Sequence, residues 1–163
     1  MNPTNPMNLS NQILEAWRIN HRVNLMLLDA IPEAGMTSSL STRGGRDVAR
    51  QFAHMHNVRV MWLEVADKTL TKGLKKFDTK ESPSKAELKK HHGASTEAMA
   101  RLFERSAEAG GTLKGFTRGL IPALGYFLAH EGHHRGSILL TLKQTGHKVP
   151  TEIQYGIWEW AKI

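Results

Sequence analysis

The residues best suited to chemistry lie in one stretch, His130-Glu131-Gly132-His133-His134-Arg135-Gly136. On a helix, His130 and His134 stand on one face about one turn apart, where two imidazoles can hold one divalent cation. That face continues through Phe127, Ile138 and Leu142, so it points into the protein. An interior histidine pair must be neutral or partnered, and a bound cation satisfies both rings. Two hydrogen-bonded helix histidines without a metal are the plainer alternative. Gly132 and Gly136 each cost a helix interior about 1 kcal/mol, a sign of close approach by backbone or ligand, or of plain packing.

A catalytic zinc usually has three protein ligands and an open position, so a third ligand must come from another helix. His54 shares a face with Val58, Met61 and Val65, and His56 shares one with Phe52, Val60 and Leu63. His21 sits on the apolar stripe of the first helix. His91 and His92 follow Lys89-Lys90 and read as a solvated face. Periodicity does not separate His54 from His56, and it slightly favours His21. The stretch also matches H-E-x-x-H, the zinc-protease pattern in which the glutamate is the general base. Leu140 stands where the extended form of that pattern needs a third histidine, although Glu152 or Glu159 could serve by spacing. The chain offers no run of alternating residues for the substrate-binding sheet of such a protease.

The elements that must position these residues are helices. Apolar spacing predicts helices over Ser10–Ile31, Arg46–Lys68, Ser84–Ala109 and Ile121–Thr145, with a short tail helix over Thr151–Ala161. Ser84 and Glu87 form a capping box at the third start. Helices of about 22–25 residues span roughly 33–37 Å, and matched lengths favour a bundle. The fold class is therefore all-α, a four-helix bundle in a single domain over 1–163. The loop Glu33–Gly45, the lysine-rich connector Thr69–Pro83 and the third link are long enough to cross an end of the bundle.

The 163 residues are 40% hydrophobic and 23% charged, with no cysteine and nine histidines. Disulfide scaffolds, thiolate metal sites and cysteine nucleophiles are excluded. A metal here must use imidazole, carboxylate, carbonyl or water. The net charge of +7 permits anionic partners. The lysines at 68–90 have only Phe77 among them, so stacking on nucleic acid is unsupported and a solvated linker is the better reading. No apolar run reaches membrane-spanning length. Met1–Leu9 has neither the basic region nor the apolar core of a leader, so a cytoplasmic protein without membrane or nucleic-acid partners is expected.

The histidine stretch resembles the H-x-x-H-H-R-G-Q signature in the last long helix of the DinB/YfiT-like family. Gln51-Phe52-Ala53-His54-Met55-His56-Asn57-Val58-Arg59, with Trp62 after it, is similar to that family's second helix. The resemblance runs from the first helix to the end of the fourth. It implies metal ligands at His54, His130 and His134, with His133 a neighbour, and a bundle with long crossover connections. Ser137 replaces the usual glutamine after Arg-Gly, which changes hydrogen bonding around the ligands. It further implies a divalent metal, zinc or nickel, and thiol S-transferase or isomerase chemistry with a low-molecular-weight thiol as co-substrate; with an open metal site, a metal-dependent enzyme of thiol S-transferase or hydrolase type acting on a small molecule is expected.

Three imidazoles leave open positions on a cation, where water or a thiol is made more acidic. A non-catalytic metal bundle is the competing expectation. Glu131, about 100° from His130 around the helix, reads as solvated or salt-bridged. Arg135 is expected to pair with a carboxylate on a neighbouring helix, in preference to an anionic substrate. Trp158 and Trp160 offer a homodimer surface or pack on their own chain.

Overall fold

The computed structural model describes residues 8–163, so most of the Met1–Leu9 segment read for a leader lies outside the described residues. Four long helices form: α1 (Leu9–Ala30), α2 (Val48–Ala66), α3 (Lys85–Glu108) and α4 (Leu120–Gln144), followed by a short α5 (Thr151–Gly156). No β-strand occurs among the described residues. Their ends follow from local chemistry. Asn8, Asp47 and Ser84 cap α1, α2 and α3 with side-chain oxygens, and Ser84 and Glu87 make the reciprocal capping box. α4 closes with Gly146 at φ 82° and a hydrogen bond donated by the His147 backbone N–H to the Leu142 carbonyl. None of the four long helices departs from its expected bounds by more than two residues.

α5 is shorter than the predicted Thr151–Ala161, ending at Gly156. Trp158 and Trp160 therefore lie in the turns beyond it. Two single-turn 3-10 helices, Glu33–Gly35 and Lys68–Thr71, appear inside connections read as plain loops.

Helix order follows from which ends share a core. One apolar cluster joins Ile13 and Trp17 of α1 to Leu63 of α2, Phe103 of α3 and Phe127 of α4. The other joins Leu28, Phe52, Leu88 and Leu142. α1 and α4 thus run one way, and α2 and α3 the other. α1 packs on α3 and α4, and α2 packs on the same two, so α1 and α2 are diagonal neighbours. The α1–α2 link crosses one end, and the lysine-rich connector returns along the bundle so that α3 can start beside the start of α2. That is the crossover arrangement the loop lengths implied.

The two apolar clusters are separated at mid-height by a buried polar layer: Asn20 and Asn24 from α1, Arg59 from α2, His92, Ser95 and Thr96 from α3, and Glu131 from α4. Met61 and Val65, predicted apolar-face positions of α2, are each 42% exposed. No described helix is long and apolar enough to cross a membrane.

Candidate metal centre

α2 and α4 pack antiparallel, and their touching faces carry His54, His130 and His134. One ligand atom from each of the three lies within 4.8 Å of the others. The ring centroids are 4.8–5.3 Å apart, edge to face. The four-residue spacing on α4 aligns two rings, and the packing of α2 brings up the third. Tyr126, one turn before His130, stacks on its ring at 6.0 Å and 9°. The His134 Nδ1 faces the Gln51 Oε1 across a long 3.5 Å contact.

All three rings are held neutral. Burial, then the charge of Arg46, lowers His54 to about 4. Burial, then the neighbouring His130 and His54, lowers His134 to about 3. Burial also lowers His130, partly offset by Glu131. A neutral imidazole keeps a lone pair, the form a cation needs. Three such rings in one place fit a divalent metal by their donor chemistry.

The other candidates are accounted for elsewhere. The His56 Nε2–H donates to the Lys75 carbonyl at 2.9 Å, and its Nδ1 faces the Ser95 hydroxyl at 3.1 Å. Both nitrogens are used, so His56 is a core histidine. His21 is half-buried with an unpartnered Nδ1, outside the three-histidine group. His92 corrects the expectation of a solvated face. It is fully buried, and its Nε2–H donates to the Phe52 carbonyl at 2.8 Å. The preceding lysines point outward, and the helix turns His92 100° away from His91 into the polar layer. His133 is exposed beside the cluster, and neither Glu152 nor Glu159 belongs to it.

Glu131 is a salt-bridged residue in the interior and not a base at the metal. Its Oε1 accepts from the Arg59 Nε at 2.6 Å, and its Oε2 accepts from the Arg59 Nη2 at 2.8 Å. Asn20 and Asn24 each donate to Oε2 at 2.6 Å. Burial alone would raise its carboxyl, but the Arg59 charge and these hydrogen bonds hold it at about 2. Both oxygens are occupied, so the protease role of a glutamate in H-E-x-x-H has no geometry here. Arg135 makes no ion pair with a carboxylate among the described residues; its Nη1 donates to the side-chain oxygens of Asn20 and Asn24.

Beside His134 lies a cavity of about 280 Å³, walled by Ser39, Ser41, Arg46, Gln51, His133 and Ser137 among others. Arg46 and Gln51 were not singled out in the sequence. Gln51, three residues before His54 on the same side of α2, could have been found by helical spacing. Arg46 could not, because it precedes α2 and the loop alone sets its place.

The fold and the site define a class: a helical bundle with a three-imidazole cluster seated between two antiparallel helices. A protein-family model described as the DinB family matches residues 1–158 of the 163, and the chain belongs to that family. Comparison with curated proteins returns no significant match.

Proposed function

We propose that the protein binds one divalent metal ion, zinc or nickel, through His54, His130 and His134, and uses it to transform a small molecule. The observation that carries this is the convergence of three neutral imidazoles within 4.8 Å beside a polar cavity. A bound divalent cation supplies Lewis acidity that makes a coordinated water or thiol more nucleophilic at neutral pH. The chain's own residues do the rest. Gln51 orients His134, while Arg46, Ser41 and Ser137 offer donors that can orient a polar substrate in the cavity. Thiol S-transfer with a low-molecular-weight thiol, or hydrolysis, is the reaction type this arrangement serves.

A non-catalytic structural centre would be closed by four protein ligands. Among the described residues only three converge, which favours an open site. The test is metal content by elemental analysis after loading with zinc or nickel. Stoichiometric metal is expected in the native chain and in His56→Ala, with loss in His54→Ala, His130→Ala and His134→Ala. A native chain that takes up neither metal overturns the proposal. Turnover of a thiol with an electrophilic acceptor, dependent on metal, then separates enzyme from structural centre.

A further inference from the structure

α4 lines a second cavity on the face turned away from the histidines. At 100° per residue, Gly132, Arg135, Gly136 and Leu139 fall on the side opposite His130 and His134. With Ile157, Trp158 and Trp160 they line a partly open cavity of about 480 Å³. Its walls are aromatic and aliphatic, and Arg135 is its one charged residue.

Glu131 lies within electrostatic reach of Arg135, but its two oxygens are taken by Arg59, Asn20 and Asn24, so Arg135 makes no ion pair among the described residues. Its Nη1 donates to Asn20 Oδ1 at 2.8 Å and to Asn24 Oδ1 at 2.7 Å, both neutral acceptors. Those same amides donate to Glu131, so the network fixes the guanidinium without pairing it. The Nε and Nη2 of Arg135 have no hydrogen-bond partner among the described residues, and neither is sealed from solvent. Together they form the side-on fork that matches a carboxylate with two parallel bonds. Gly132 and Gly136 leave room in front of that fork. A Cβ on Gly132 would lie 3.6 Å from Nη2, and one on Gly136 would meet nothing within 4 Å. Helix packing therefore does not require Gly136, and the space it leaves is open to an occupant of the cavity.

We propose that this cavity binds a small organic carboxylate with an aromatic or aliphatic body. The carboxylate sits on Nε and Nη2 of Arg135, and the body lies between Leu139, Trp158 and Trp160. The volume suits a small ligand lying against apolar walls with one polar anchor. The site is distinct from the metal centre and stands whether or not that centre is catalytic.

The test is titration of the full chain with phenylacetate, octanoate and the neutral phenylacetamide, followed by tryptophan fluorescence and calorimetry, with and without chelator. Saturable binding of at least one acid is expected in both conditions. Phenylacetamide should bind at least about tenfold more weakly than phenylacetate, as for loss of a charged hydrogen bond. Gly136→Leu should weaken binding by a similar factor without lowering the melting temperature, and Arg135→Gln should abolish the preference for acid over amide. If Arg135→Gln does not fold, Gly136→Leu and the acid–amide pair still decide. No saturable binding at millimolar acid, equal affinity for acid and amide, or an unchanged Gly136→Leu would overturn the proposal. So would binding that disappears with chelator or in His134→Ala, or a dimer in solution that covers Trp158 and excludes the acids.

Discussion

Glu131 is one residue from His130, yet it serves the interior of the bundle. Its two oxygens take four donors, two from Arg59 and one each from Asn20 and Asn24. Arg59 also lies 4.7 Å over the Trp17 ring and donates to Thr96 at 2.9 Å. Glu131→Gln would leave that guanidinium buried without its counter-charge, which typically costs about 3–5 kcal/mol. Urea unfolding should show that loss, while the folded fraction still binds metal. Retained metal would separate a positioning and stability role from a ligand role.

The buried histidines add a pH effect. His21 and His56 are held at about 4, and His92 well below its ordinary value, first by burial and with a contribution from Arg59. The unfolded chain takes up their protons near the ordinary 6.5, so between pH 6.5 and 4 it binds more protons than the native state. Stability therefore rises with pH across that window. Glu131 acts lower, losing its contribution as pH falls from 4.5 towards 2. Melting of chelator-treated protein should drop steadily from about pH 6.5 to 4, and His92→Gln should flatten the slope.

At the scale of elements, caps and glycines give sharper expectations than propensity does. Ser84 satisfies a free amide at the start of α3, and Ser84→Ala should cost about 1 kcal/mol in denaturant unfolding. Gly119 sits at φ 88°, and a Cβ there would meet the Gly111 carbonyl oxygen at 2.8 Å. Gly119→Ala should cost at least about 1 kcal/mol. Gly125, in the interior of α4 with open space where a Cβ would stand, should behave oppositely. Gly125→Ala is expected to add about 0.5–1 kcal/mol.

For the molecule as a whole, a metal at His54, His130 and His134 would tie α2 to α4 midway along the bundle. Ligand binding to the folded state alone adds about 2.7 kcal/mol at a hundredfold excess over Kd. Zinc or nickel should therefore raise the melting temperature, chelator should reverse it, and His54→Ala should abolish the response. A thermal shift that survives in His54→Ala would place the metal elsewhere.

Much of the fold was written in local chemistry. Apolar spacing, the Ser84–Glu87 box and the closing glycines act within a few residues, so the long helices fall within two residues of their expected bounds. The tail helix was over-extended because Trp158 and Trp160 continue an apolar pattern that the backbone does not follow. His130 and His134 were legible for the same reason, since a four-residue spacing is a property of one helix. His54 was not separable from His56 by the residues alone, because both have apolar neighbours and only the docking of α2 decides which meets α4. The family pattern chose His54, and the packing brings that ring to the other two. The buried place of His92, the Arg59–Glu131 pair and the unpaired Arg135 depend on four helices meeting at one height, and no single segment encodes that height. Residue types and short-range spacing were determined by the sequence itself; partners between helices were decided by tertiary packing, because burial and charge pairing are set by which faces touch.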